Sequence, residues 1–477
     1  WNNVLSRLDV EGATADQLTT LYSCLHRVHL YPNIAHENIG TPQTPRWAYA
    51  DPFCSVQEDG PTHTARPVVD GALTTTDGFW DSYRASWPLR TLVWPTSTAE
   101  LIDGFVEHYR RSGWTSRWSA PGPADIMTGT SSDAVFADAA LAGLDFDLES
   151  AYDACLRNAT TPSDDPRVGR KGMHRSLFRG FTDTETLEGM SWTVDAAIND
   201  AAIAVFSRVL ADRFPTHRRI DEFRANATWF TARATNYASV FDAQTGFFRG
   251  RDRSGGFRPI DTFDPRNWGL DYTETNAWGT CVTAPQDGEG IAALHGGRDA
   301  LCRRLDEFRA LQETGRDDVR GSYPVVIHEM REARDTRMGM LALSNQPAHH
   351  IPFMYAFAST PGNLAHARTQ EMVREATQRL FLGSEIGQGY PGDEDNGEMS
   401  AWYLLAATGL YPLTIGSGEF VITAPTFPSI SWTLDGAVVR VEAPAASTTN
   451  RYIESVTIDG EPWQQITVPR ERLRRGA

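Results

Sequence analysis

Four carboxylates fall within one run of six residues, Asp393-Glu394-Asp395-Asn396-Gly397-Glu398, which leads straight into a stretch, 399–410, apolar on nearly every face. Such a stretch predicts a buried helix. Free N–H groups and the positive end of the helix dipole at its first turn hold carboxylates as anions. Ionised acids in that place suit a general base acting on water, with ordinary helix capping as the plain alternative. An EF-hand is excluded, because asparagine and glycine come one place early and position twelve is Leu404. A second carboxylate, Glu274, stands between Tyr272 and Trp278. Aromatic surroundings raise the pKa of an acid, as a general acid requires; the alternative is an exposed loop acid. A third, Asp81, follows Trp80. A ring beside a carboxylate can stack on sugar C–H groups while bonding hydroxyls, or it can be a structural Trp with an Asp–Arg pair.

Other chemistries fail on spacing. His36-Glu37 and His328-Glu329 both lack the second histidine of HExxH. Gly387, Gly389 and Gly392 form a GxGxxG with Pro391 inside it and Asp393 directly after, where carboxylates would repel a pyrophosphate. Lys171 is the only lysine, which removes Schiff-base mechanisms. Cys24, Cys54, Cys155, Cys281 and Cys302 are scattered with no CxxC, so a cysteine zinc site is excluded and disulfides are left open.

The elements that must position these residues are mainly helical. Ile198, Ala202, Val205, Phe206 and Val209 share one helical face, as do Met372, Val373, Ala376 and Leu380. Long polar loops at 157–175, 249–268 and 384–398 separate such segments, and loops of that length are more often functional than idle. Short β-rich runs follow Pro412, at 419–423, 430–433, 437–442 and 452–458. The expected organisation is a turn-rich segment over 1–80, broken by prolines, an all-helical domain over 81–412 and a small β region over 413–477. Many antiparallel helix pairs in one domain suit an α/α toroid. The 477 residues carry 61 acidic against 44 basic side chains, a net charge of −17 that repels nucleic acid. No apolar run reaches the roughly 18 residues needed to span a membrane.

Several stretches together resemble glycoside hydrolase family 92, the calcium-dependent exo-α-mannosidases. They are Gly78-Phe79-Trp80-Asp81-Ser82-Tyr83-Arg84; Asp125-Ile126-Met127-Thr128-Gly129 through Asp138-Ala139; Asn236-Tyr237 with Phe241-Asp242; and the run from Tyr272 to Trp278. Asn345-Gln346-Pro347 with His349-His350, the run from Gly392 to Trp402, and Gly409-Leu410-Tyr411-Pro412 complete the set. The resemblance implies an (α/α)6 barrel preceded by a β-sandwich that this chain lacks. It implies a secreted or extracytoplasmic bacterial enzyme acting on α-mannoside glycans with inversion. Inverting carboxyls typically stand ~6.5–9.5 Å apart, leaving room for water.

Carried over by position, Glu274 matches the general acid, and Asp393 and Asp395 match the pair that positions and deprotonates water. Trp80, Asp81, Trp278 and Glu394 are the expected sugar contacts, and Asn345 and Gln346 the expected Ca2+ ligands. Gln346 departs from the family, which has glutamate there. As a metal ligand it would weaken calcium binding; as the proton donor it could not act, and only good leaving groups, such as the phosphate of a mannosyl phosphodiester, would depart quickly. A non-catalytic mannose-binding protein and an α/α-barrel glycosidase of other specificity are the rival readings.

Overall fold

A computed structural model describes residues 1–54, 65–360, 362–384 and 389–476. Gly387 and part of the 384–398 loop lie outside the described residues. The long helices include Ala15–Val28, Pro95–Ser112, Leu148–Thr160, Gly189–Arg213, Ile220–Arg233, Arg298–Ala310 and His366–Arg379. The first of these corrects the turn-rich reading of 1–80. The prolines that break that segment begin at Pro32, so residues before them are free to be helical. A capping box fixes the start of this helix, with Thr14 and Gln17 each bonding the other's backbone N–H.

Two kinds of helix build the body. Ser86–Val93 and Glu398–Thr408 have every residue buried; apart from Arg90 and Glu398, their sequences carry no charge on any face. Ile220–Arg233 buries only Phe223 and Phe230 and turns its charged face to water. Glu398–Thr408 packs on Ser86–Val93, which packs on Ser132–Leu141, which packs on Gly189–Arg213. The circuit continues through Pro285–Asp287, Gly288–Leu294, Tyr355–Ala358 and His366–Arg379 back to Glu398–Thr408. Ala15–Val28 and Ile220–Arg233 back this ring from outside. Helices that contact one another round this circuit agree with the α/α toroid expected from the sequence.

The strands after Pro412 are stitched into that body. Ser429–Leu434 lies between Ala437–Glu442 and the early strand Leu8–Glu11, antiparallel to both, with Leu8 opposite Trp432. Glu419–Ile422 lies between Leu410–Tyr411 and Thr467–Pro469. The Trp432 indole N–H donates to Thr408 Oγ1 at 2.9 Å, and Phe420, Ile430 and Val468 join the same buried cluster as the helices. All five cysteines are free. Among the described residues no helix is long and apolar enough to cross a membrane.

The last helix, Arg470–Arg474, is fastened to the toroid by the buried Arg470–Asp138 pair, bidentate at 2.7 Å to both oxygens. Removing one partner leaves a buried charge alone. Asp138→Ala is therefore expected to lower unfolding stability by about 3–5 kcal/mol, read as a lower urea midpoint. If the β region were held only by its own sheet, the helical transition would not move.

Candidate active site

The loop that enters Glu398–Thr408 is the tightest part of the site. Asp395, Asn396 and Gly397 take successive φ values of 48°, 59° and 92°. That left-handed run costs glycine nothing but strains the other two. Both oxygens of Glu394 accept backbone N–H groups, from Gly397 at 2.9 Å and Ser400 at 3.0 Å, so Glu394 caps the helix from within the loop. Asn396 Oδ1 accepts the Gly78 N–H at 2.9 Å, which ties the loop to the segment carrying Trp80 and Asp81. Gly392, at φ 78°, allows a third approach: a Cβ there would stand 2.1 Å from the Ser344 carbonyl oxygen.

That approach brings residues 345–346 between the two predicted chemical groups. The Asn345 side-chain amide donates to the Glu274 carbonyl at 2.9 Å and to its Oε2 at 3.3 Å. The next amide, that of Gln346, donates to Asp395 Oδ2. Two adjacent amides thus bridge Glu274 and Asp395. Glu274 also sits at positive φ, 50°, with its own N–H donating to Tyr323 Oη at 3.1 Å. Such strain at two carboxyls in one site is characteristic of functional positions.

Burial, with like charge from Glu329, Asp395 and Glu188, pushes the Glu274 carboxyl up to about 8. Burial and the Asp393 charge push Asp395 up to about 7, against the lowering effect of the Gln346 amide. Asp81, on the short helix Phe79–Ser82, is 2% exposed and raised well above the usual range by burial and then by Asp395 and Glu274. Its Oδ2 is buried with no hydrogen-bond partner among the described residues. Asp393 is exposed at the loop's outer edge.

Trp80 and Trp278 part company. The Trp80 indole N–H donates to Asp195 at 3.0 Å, Thr128 donates to the same oxygen at 2.6 Å, and the Arg84 guanidinium lies 5.5 Å from the Trp80 ring. Trp278 packs in the apolar core, edge-on to Phe247 at 4.9 Å and beneath Arg304.

Sequence reasoning missed four neighbours. Glu329 is 8% exposed, with Oε1 paired to His328 and Oε2 buried without a partner. Its signal was His328-Glu329, weighed only as a metal motif. Arg84 is the buried cation of the site, although it closes the quoted Trp80–Arg84 run. Asp195 lies on Gly189–Arg213, where the apolar spacing masks it, and Glu398 is one acid among the four of its run.

The catalytic-domain model of glycosyl hydrolase family 92 matches residues 1–477. The chain belongs to that family. An inverting mannosidase of family 92 from Bacteroides thetaiotaomicron is 30% identical, with a TM-score of 0.84 over all of this chain and 60% of that one. A family 92 alpha-mannosidase of the same organism, in complex with mannoimidazole, shares the fold at 22% identity and a TM-score of 0.81, over all of this chain and 57% of that one. A protein of Arthroderma benhamiae described as an uncharacterized secreted glycosidase is 23% identical over 391 residues, 73% of this chain and 44% of that protein. This family 92 chain thus spans about half the length of the relative compared by sequence and about 60% of the solved ones.

The family's calcium can be tested against the residues present. Around Glu274 and Asp395 the Asn345 and Gln346 side chains present their amide N–H groups, and Asn345 Oδ1 accepts the Gln346 N–H at 3.1 Å, so a hard dication would draw on the carboxyl oxygens and require these amides to turn. Among the described residues no three His, Cys, Asp or Glu converge closely enough to hold an ion unaided. The Asn345 and Gln346 side-chain oxygens would have to complete any such site.

The raised carboxyls give a stability prediction in calcium-free buffer. A carboxyl whose folded pKa lies above its unfolded value adds stability below the unfolded pKa and loses it as pH rises through the folded one. For Glu274 that window runs from 4.5 to about 8. Melting temperature should fall across it, and Glu274→Gln should flatten the fall. An unchanged slope in the variant would show that Glu274 is not held neutral.

Proposed function

We propose that this chain is the catalytic portion of an exo-acting α-mannosidase that releases terminal mannose from glycans with inversion, on an (α/α)6 barrel. The observation that best supports this is the pair of half-buried carboxyls, Glu274 and Asp395, joined through the adjacent Asn345 and Gln346 amides. Glu274, up at about 8, holds a proton at neutral pH and gives it to the departing glycosidic oxygen. Asp395 releases its proton at lower pH and takes one from water as that water attacks the anomeric carbon, with Asp393 beside it to orient the water. The free oxygen of Asp81 accepts mannose hydroxyls against the Trp80 ring. Glu394 supports the sugar subsite through the loop it caps, whereas Trp278, packed in the core, is given no part in it.

A calcium ion would be held through the side-chain oxygens of Asn345 and Gln346, and would supply positive charge to bind sugar hydroxyls and favour ring distortion. Secretion and a β-sandwich partner domain in the same protein belong to this proposal by family resemblance.

A second reading is favoured by Gln346, whose amide faces Asp395 where an acid would offer a proton. It is a mannosidase preferring mannose-1-phospho-6-mannose, since a phosphate leaves without protonation.

Mannose release from α-mannobiose, followed by NMR with and without a chelator, tests the first reading. β-Mannose should appear first and disappear on chelation. Glu274→Gln should lower kcat/KM on mannobiose by about 10²–10⁴-fold, while an aryl mannoside with a good leaving group is largely spared. Hydrolysis of the phosphodiester alone would select the second reading. Turnover of neither, with mannoside binding retained, would leave a lectin.

A further inference from the structure

Glu398 has no part in the proton transfers above, yet it ties together the segments that carry Asp81, Gln346 and Asp395. It is the first residue of Glu398–Thr408 and is 0% exposed. Its Oε2 accepts the N–H groups of Ala85 at 2.9 Å and Ser86 at 2.8 Å, at the start of the inner helix Ser86–Val93. Its Oε1 stands 3.0 Å from His349 Nδ1. Asp81 lies four residues before Ala85, Gln346 three before His349, and Asp395 three before Glu398 itself.

The position of one proton follows from what each atom faces. His349 Nε2 lies 3.3 Å from the Leu343 carbonyl oxygen, which can only accept, so Nε2 carries a hydrogen. A neutral imidazole then presents a lone pair at Nδ1, and Oε1 opposite it must bring the proton. The alternative is a buried imidazolium beside the Arg84 guanidinium. Burial and Arg84 push His349 down to about 3, and burial lifts Glu398 well above the usual carboxyl range. The other charged or titratable groups facing Glu398 are Arg84, Glu394, Asp81, Tyr83 and Tyr411. The two carboxyls among them add like charge that an ionised Glu398 would have to face.

We infer that Glu398 is a positioning residue acting as a neutral carboxylic acid, which donates Oε1–H to His349 Nδ1, accepts the Ala85 and Ser86 amides, and so fixes Asp81 against Gln346 and Asp395. The inference rests on reading Asp81 and Asp395 as substrate-facing groups. A protonated carboxyl and a carboxamide offer the same pattern here, one donor at one end and an acceptor oxygen at the other. Glutamine should therefore replace Glu398, and aspartate, one methylene shorter, should not.

The experiment compares Glu398→Gln and Glu398→Asp in the whole chain on α-mannobiose, with thermal melting as the folding control. The glutamine variant should keep kcat within about 3-fold of the parent. The aspartate variant should lose about 100-fold in kcat with a much smaller change in KM, as for a small misplacement of reacting groups. A glutamine variant as damaged as the aspartate one would overturn the neutral acid, and an unharmed aspartate variant would overturn the positioning role. Histidine-selective ¹⁵N NMR at neutral pH supplies a readout independent of turnover. His349 should show one protonated nitrogen, Nε2, in both parent and glutamine variant; two protonated nitrogens in the parent would overturn the assignment. A parent that binds mannosides without hydrolysing them would refute the mannosidase reading and leave the NMR test intact.

Discussion

Gathering carboxyls of like charge away from water is the constraint on which the rest of this structure depends. Asp81, Glu274 and Asp395 are each raised by burial first and by a neighbouring carboxyl second, which is Asp395 for Asp81, Glu329 for Glu274 and Asp393 for Asp395. Left to themselves, such groups would move apart or take in water. Rigid supports must hold them, and each support can be traced to a residue. The Asn345 and Gln346 amides hold two of the acids from between. Glu394 spends both of its oxygens on backbone N–H groups of the loop and helix start.

The strained backbone follows from the same constraint. Three left-handed residues in succession, Asp395 to Gly397, turn the chain sharply enough for Asp395 to face Gln346 while Glu398 is already inside the helix. The strain is tolerated because the helix that follows cannot shift: all eleven of its residues are buried. An inner helix of ordinary amphipathic character would have one face free to relax toward water. Here the apolar sequence of 399–408 serves the chemistry indirectly, by denying the loop any freedom to open.

Much of this was legible in the sequence, and the limits of legibility have physical causes. The buried helix could be read because a segment apolar on all faces has only one stable place. The acids of 393–398 could be read as a group, but their roles could not. Spacing along a chain does not say which carboxyl turns back to cap a helix, as Glu394 does, and which turns outward, as Asp393 does. Trp278, like Trp80, belongs to a run that resembles the family, yet it packs against Phe247 and Arg304 in the core. Ala15–Val28 escaped notice because the prolines after it dominated the composition of its segment. Glu329 and Asp195 join the site only because distant helices close the ring, and no local pattern reports that closure.

The bridge of two amides also explains why a residue between two acids need not be an acid. A carboxylate at position 346 would add like charge against Asp395, already pushed up to about 7 by its surroundings. Glutamine donates a hydrogen bond instead and draws that value down. It leaves its own oxygen available to a cation or a sugar hydroxyl. Gln346 thus favours an ionised Asp395, while Glu274, whose amide donor Asn345 stands farther off at 3.3 Å and which faces Glu329, keeps its proton longer. In the proposed mechanism, the separation of acid from base would rest on where neutral amides stand among the carboxyls, as much as on the carboxyls themselves.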